Sequence, residues 1–136
     1  MRSLTLCLAL LTALAGGPPR LAPGELSPFL RVISASLGSP GRVACRDIDL
    51  SMQFKKDGLS PDPRSPMAFA ASPEQIRTYL AEGKLVVCGE EAGLKLGAGI
   101  AVFKDKGKPI MVVNRTNVAA TGLTLSDALL KIARIQ

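Results

Sequence analysis

Short apolar runs alternate with helical patterns along much of the chain. Three runs, at residues 43–45 (VAC), 67–70 (MAFA) and 84–88 (KLVVC), are almost entirely apolar. Continuous apolar runs of this length are typical of parallel strands that are buried on both faces. The stretches between the runs carry apolar residues at helical spacing, so the pattern predicts a βαβαβ core.

Each helix in this region has a start signal and a stop signal. A capping side chain begins it and a glycine ends it, as is common for helices in proteins. The predicted caps are Ser27, Asp47 and Ser72, and the predicted stops are Gly38, Gly58 and Gly83. Ser72 is followed by a proline and, three positions on, by Gln75, which completes a capping box. We expect one helix before the first strand and one in each connection between strands.

After the third run the pattern changes to that of a hairpin. Residues 100–103 (IAVF) and 110–113 (IMVV) flank a polar stretch with a glycine, which predicts two antiparallel strands. Residues 114–122 are expected to be loop with some helix, and Thr124 and Asp127 begin a last helix. Its predicted buried stripe is Leu125, Ala128, Leu129, Ile132 and Ala133. The predicted fold is α/β, a small three-layer sandwich whose parallel βαβαβ core is extended by a C-terminal antiparallel hairpin and a closing helix.

The first residues are typical of a secretory signal peptide. An apolar run at residues 4–14 follows Arg2 and leads to small residues suited to cleavage after Ala15. The run is too short to span a bilayer, which needs about 20 apolar residues, and a buried N-terminal helix is the alternative. Residues 16–26, rich in glycine and proline, predict a flexible tether, and residues 27–136 predict a single domain. We therefore expect an exported protein.

Composition excludes more functions than it indicates. The 136 residues include no histidine, which removes histidine-based acid–base catalysis and most zinc sites. No side chains have the spacing of metal ligands or of a nucleophile with its base, so we predict no enzyme activity, metal or cofactor. The formal net charge is +6. The basic residues are dispersed and not interleaved with aromatic ones, which argues against nucleic acid as a partner.

Two stretches resemble binding motifs. The GAG sequence at residues 97–99 precedes an apolar run rather than a helix, so a turn fits it better than a phosphate-binding loop. Lys104, Lys106 and Lys108 lie in the predicted hairpin turn and form a candidate basic contact tip for an acidic partner. A solvated turn without a partner is the simpler interpretation.

Removal of a signal peptide would take away Cys7 and leave Cys45 and Cys88. Cysteines in an oxidising compartment commonly pair, although two buried free thiols are an alternative. Each of the two ends an apolar run, and in the strand order 2-1-3 of flavodoxin-like sheets the first and third runs would be neighbours. Their Cα atoms would then lie roughly 5 Å apart, within the range of a disulfide. We therefore predict a Cys45–Cys88 disulfide.

The C-terminal third carries a family signature. A glycine before a short strand, a hydrophobic-Asn step after the hairpin, and a Gly-Leu pair before a Leu-Leu helix follow one another. The matching positions are Gly99, Val113, Asn114, Ala119, Ala120, Gly122, Leu123, Ser126, Leu129 and Leu130. In these positions the chain resembles the YfiR-type periplasmic regulators, mainly over residues 84–135.

The resemblance implies an exported, non-enzymatic regulator. Such proteins bind and inhibit a membrane-bound diguanylate cyclase through its periplasmic domain, and they are often homodimers. This chain is shorter than that family between its first helix and the third apolar run. The alternative function is a periplasmic small-molecule sensor or truncated solute-binding domain that uses the strand ends near Cys45, Ala70 and Cys88.

The signal-peptide pattern can be tested directly. We expect the mature protein to begin at Gly16 and to lie outside the cytoplasm, because the pattern places the cleavage site after Ala15. Amino-terminal sequencing of the purified protein checks this prediction. An intact Met1 on cytoplasmic protein would contradict it.

Overall fold

The alternating pattern folds into a mixed sheet with helices on both faces. A computed structural model describes residues 20–136, so the predicted signal peptide, with Cys7, lies outside the described residues. The helices are α1 (Pro23–Ser36), α2 (Ile48–Lys56), α3 (Pro73–Ala81), α4 (Arg115–Ala120) and α5 (Asp127–Ile132), with a 3₁₀ helix at Glu91–Leu96. The strands are β1 (Arg42–Val43), β2 (Ser60–Pro61), β3 (Met67–Ala70), β4 (Leu85–Cys88), β5 (Ile100–Asp105), β6 (Lys108–Val113) and β7 (Arg134–Ile135). No helix within residues 20–136 is long and apolar enough to cross a membrane.

The main sheet has the order β3-β4-β5-β6-β7, and β1 pairs with β2 beside it. A parallel bridge between Ala44 and Ala68 joins β1 to β3, so the order across the molecule is β2-β1-β3-β4-β5-β6-β7. The first five of these strands are parallel, β6 is antiparallel to β5, and β7 is parallel to β6. The order 2-1-3-4-5 is that of a doubly wound α/β sheet. The predicted fold class, with its hairpin and closing helix, is confirmed.

The strand order differs from the prediction because one strand has no apolar signal. β2 is only a serine and a proline within a proline-rich loop. Once β2 is counted, β3 is the third strand and lies between the two strands that lead to cysteines. Cys45 and Cys88 are then two strand spacings apart, roughly 9.5 Å, and both are free thiols. The predictions of neighbouring strands and of a Cys45–Cys88 disulfide are therefore wrong.

Successive side chains of the central strands point to opposite faces of the sheet, so the core has two layers, which differ in the size of their side chains. The layer that faces α1, α2 and α5 contains the larger side chains, among them Leu30, Ile33, Phe54, Met67, Phe69, Leu85, Val87, Ile100, Val102 and Leu129. The layer that faces α3 and the 3₁₀ helix contains Ala44, Ala68, Ala70, Ile76, Tyr79, Val86, Cys88, Leu94 and Ala101. The alanines of this second layer leave room for the large Tyr79 side chain, which is fully buried.

Helix α1 begins earlier than its sequence predicts. Ala22 rather than Ser27 is the N-cap, Pro23 is the first helical residue, and Pro28 lies inside the helix on its exposed side. Ser27 cannot act as a cap because it is buried, with its hydroxyl bonded to the carbonyl of Pro23 (2.9 Å) and to Asp57 Oδ2 (2.8 Å). The first turn of α1 therefore comes from the predicted tether.

The hairpin is longer than predicted. β5 and β6 pair as far as Asp105 and Lys108, which leaves a two-residue turn of Lys106 and Gly107. Both turn residues have positive φ, +52° and +79°, as a type I′ turn requires. Only Lys106 of the three candidate lysines therefore lies in the turn, since Lys104 and Lys108 belong to the strands.

The last helix is shorter than predicted and has a different cap. Ser126 rather than Thr124 is its N-cap, and the Ser126 hydroxyl accepts from the N–H of Leu129 at 3.3 Å. Leu129 is buried as expected, whereas Ala128 and Ile132 are exposed. The predicted buried stripe is incomplete because the helix has only six residues, and the chain after it forms β7.

The burial of Leu129 generates a stability prediction. Leu129→Ala removes a side chain that is 1% exposed in the larger core layer, so we expect the free energy of unfolding to fall by about 2–5 kcal/mol. Ile132→Ala is the matched control on the same helix, since Ile132 is 66% exposed, and we expect a change within about 0.5 kcal/mol. Urea unfolding measures both, and similar small losses from the two variants would place Leu129 on the surface.

Candidate functional site

A pocket opens at the carboxyl edge of the sheet, where β3 and β4 end. Its floor includes Ala70 and Cys88, the last residues of these two strands, together with Phe69 and Val102. Open α/β sheets bind ligands at this edge, outside the carboxyl ends of their strands. The structure therefore brings together two of the three strand ends that were expected to hold a ligand.

The walls of the pocket come from helices on both faces of the sheet. Leu26 of α1 and Leu50 of α2 belong to the larger core layer, and Ile76 of α3 belongs to the other layer. The caps position two of these helices: Asp47 Oδ1 accepts from the N–H of Leu50 at 3.0 Å, and the Ser72 hydroxyl caps α3. Both caps were predicted from the sequence, and both are confirmed.

The pocket is mainly apolar and about the size of one ring. Its volume is about 190 Å³, and a cavity of roughly 150 Å³ lined by Leu, Ile and Phe side chains can hold benzene. The apolar side chains that line it include Leu21, Leu26, Leu50, Phe69, Ile76, Leu96 and Val102. A single aromatic ring or a branched alkyl group would therefore fit.

Two charged side chains, Arg20 and Glu90, also line the pocket and form an ion pair. Arg20 precedes α1, and Glu90 lies in the loop that follows β4. Their side chains are 57% and 41% exposed. The pair therefore lies at the solvent side of the pocket, above the apolar floor.

The thiol of Cys88 lies on the pocket floor against the 3₁₀ helix. It donates a hydrogen bond to the carbonyl of Glu90 at 3.1 Å, and burial raises its pKa to about 11. A thiol with this pKa is protonated at neutral pH and is a poor nucleophile. Gly93 packs directly on it, since a Cβ at this position would overlap Cys88 Sγ and lie 3.2 Å from Ile76 Cδ1. Glycine therefore permits the 3₁₀ helix to approach the floor.

The third expected strand end, Cys45, lines a separate polar cleft of about 260 Å³ beside β1 and β2. There the Tyr79 hydroxyl accepts from the N–H of Arg46 at 2.8 Å, and burial raises the pKa of Tyr79. The Arg46 guanidinium lies 5.4 Å from the centre of the Tyr79 ring and pairs with Glu82. Burial also raises the pKa of Cys45. Because the charges of Arg46 and Glu82 are already matched, this cleft is less suited to a ligand than the apolar pocket.

The candidate basic tip stands beyond the same edge of the sheet as the pocket. β5 continues past the end of β4, since Cys88 pairs with Ala101. Lys104 forms an ion pair with Glu25 of α1 at 3.3 Å. Lys106 and Lys108 are exposed. Lys104 is therefore engaged by α1, and none of the three lysines lines either pocket.

Several lining residues carry no sequence signal for a site. Arg20 and Leu21 belong to a stretch whose glycines and prolines predict a tether, and Leu50 resembles an ordinary core residue of an amphipathic helix. Gly93 is one of 13 glycines. Leu26 and Leu50 each have an apolar partner four residues on, Leu30 and Phe54, so nothing in the helical pattern marks them as pocket residues.

The fold places the chain among open, doubly wound α/β domains. No family model matches it, and no curated protein matches it in sequence. Several solved structures are similar in fold, among them two bacterial domains. A conserved domain protein from Vibrio cholerae O1 biovar El Tor str. N16961 superposes with a TM-score of 0.62 at 12% identity, over 83% of this chain and 59% of that one.

The second similar structure is the ABC domain in complex with L-Trp from Streptococcus pneumoniae. It superposes with a TM-score of 0.58 at 10% identity, over 84% of this chain and 60% of that one. This chain therefore spans about 60% of the length of both neighbours. At such low identities the likeness establishes the fold alone.

The contact between Gly93 and Cys88 generates a prediction about the pocket floor. We expect Gly93→Ala to lower the free energy of unfolding by about 1–3 kcal/mol, because the added methyl group overlaps the thiol. In a Cys88→Ala background, Gly93→Ala should lower the free energy of unfolding by less than half as much. A double-mutant cycle based on urea unfolding measures this difference. Gly89→Ala is the control, since its nearest neighbour would be Phe69 at an ordinary 3.8 Å. Equal losses with and without the thiol would contradict this packing.

Proposed function

We propose that this chain is a small-molecule-binding domain whose ligand occupies the apolar pocket at the ends of β3 and β4. The observation that carries the proposal is the position of the pocket at the carboxyl edge of a doubly wound sheet, where such folds bind ligands. Helices from both faces supply its walls. A site built from several elements in this way is typical of a binding pocket.

The lining favours binding over catalysis. The Ser72 hydroxyl is engaged by the N–H of Gln75 at 3.2 Å. The Cys88 thiol is held in its protonated form by burial, with its pKa raised to about 11. Neither group is activated as a nucleophile, because the hydrogen-bond partners of both are backbone groups and not the side chain of a base.

The ligand class follows from the size and polarity of the pocket. A volume of about 190 Å³ with aliphatic and aromatic walls fits a molecule with one apolar ring or branched chain. The pneumococcal neighbour is a complex with L-Trp, an amino acid whose side chain is a larger aromatic group of two fused rings. We therefore propose free amino acids with apolar side chains as the first ligands to test.

The regulatory role implied by the YfiR-type resemblance stays a prediction, together with its diguanylate cyclase partner and its periplasmic location. Small-molecule binding is compatible with that role, because a regulator can be controlled by a ligand that favours one of its conformations. The binding proposal does not depend on the resemblance.

A thermal-shift titration with L-tryptophan, L-phenylalanine and L-leucine tests the proposal. A ligand that binds only the folded chain stabilises it by about 2.7 kcal/mol at a hundredfold excess over Kd, so Tm should rise with concentration. L-glutamine is the polar comparison and should give no rise, since its amide would be buried against apolar walls.

Two leucine substitutions show whether the ligand occupies this pocket. Ala71→Leu places a larger side chain in the lining and should abolish the rise in Tm. Ala81→Leu, an exposed position on α3 outside the lining, should leave the rise unchanged. A rise that persists in Ala71→Leu would mean that the ligand binds elsewhere.

A further inference from the structure

The residues before α1 form part of the pocket wall. Arg20 and Leu21 line the pocket, and Leu21 packs against the same core layer as Leu26. We call residues 20–22 the N-terminal arm. Its outer end is the ion pair between Arg20 and Glu90, which links it to the loop on the other side of the pocket.

The two ends of the N-terminal arm are held differently. At the inner end, the N–H of Ala22 donates to Glu25 Oε1 at 3.1 Å, and Glu25 pairs with Lys104 at 3.3 Å. The hydrogen bond from Ala22 lowers the pKa of Glu25, and Lys104 acts in the same direction, so this carboxylate stays charged. At the outer end, the Arg20–Glu90 pair is exposed, and exposed pairs are weak and screened by salt.

We infer that the N-terminal arm is a gate over the apolar pocket, which opens when the Arg20–Glu90 pair breaks. In the closed form Leu21 covers part of the pocket, and Pro23 at the start of α1 is the point about which the arm would move. Because the ion pair is exposed, opening needs little free energy, and salt promotes it. The inference depends on the proposed function only in treating this pocket as a binding site.

Alkylation of Cys88 measures access to the pocket without any ligand. The reagent is N-ethylmaleimide, which is uncharged, and peptide mapping by mass spectrometry of the full chain separates Cys88 from Cys45 and Cys7. We expect Arg20→Gln to raise the alkylation rate of Cys88 about two- to fivefold, with the rate of Cys45 unchanged. In the unmodified protein about 0.5 M salt should give a similar increase, and in Arg20→Gln it should give a smaller one, since salt there only screens the charge of Glu90.

A faster reaction in Arg20→Gln cannot come from the ionisation of the thiol. The charge of Glu90 already raises the pKa of Cys88, and removal of Arg20 would leave that charge unneutralised. The thiolate fraction would then fall, which by itself would slow alkylation. Acceleration therefore reports access to the pocket.

Arg77→Gln is the matched control. Arg77 lies on the exposed side of α3 outside the pocket lining, so this variant removes the same charge and should change neither rate. Equal Cys88 rates in Arg20→Gln and the unmodified protein at low salt would overturn the gate. Equal acceleration of Cys88 and Cys45 would also overturn it, because that result indicates general loosening. If no amino acid raises Tm but Cys88 responds as expected, the ligand class is wrong and the gate stands.

Discussion

Two backbone hydrogen bonds at Ala44 hold the two parts of the sheet together. Its N–H donates to the carbonyl of Met67, and its carbonyl accepts from the N–H of Phe69, both at 2.9 Å. Because this bridge places β1 beside β3, the helices that follow these strands lie on opposite faces, and a gap remains between their first turns. A shift of one residue would turn Val43 toward the alanine layer and bring a larger side chain under α3. The geometry of the carboxyl edge therefore depends on the short bridge between Ala44 and β3.

The sequence predicted the fold class because the buried strands are continuous apolar runs and most helices have recognisable caps. It did not predict the strand order, because β2 is held by backbone hydrogen bonds and not by apolar side chains. Ser60 donates its N–H to the carbonyl of Gly41, and Asp62 donates to the carbonyl of Val43. Backbone pairing of this kind needs no apolar residue, so no periodicity shows it. Because β2 was not predicted, β1, the strand before Cys45, was expected to lie beside β4, whereas it lies beside β3.

Only part of the candidate site was predicted, because apolar strands can be recognised in a sequence whereas contacts between distant segments cannot. Strand ends are visible in a sequence, so Ala70 and Cys88 could be expected at a shared edge. The walls depend on where helices cross the sheet, and that is decided by packing between residues far apart in the chain. The N-terminal arm is the clearest example of a contact that the sequence does not predict. Its surroundings are rich in glycine and proline, which gives no sign that Leu21 contacts an apolar wall.

Prolines lie at both sides of this sheet, and their positions bear on association between chains. Pro61 belongs to the outermost strand on one side, and Pro109 belongs to the stretch of β6 that β7 does not cover. Proline has no N–H to donate, so an incoming strand could not form a continuous ladder at either position. Strands as apolar as β3 and β4 are prone to aggregate when a sheet can grow at its edges. The two prolines oppose that growth, because each interrupts the backbone pairing that a strand of another chain would need at its edge.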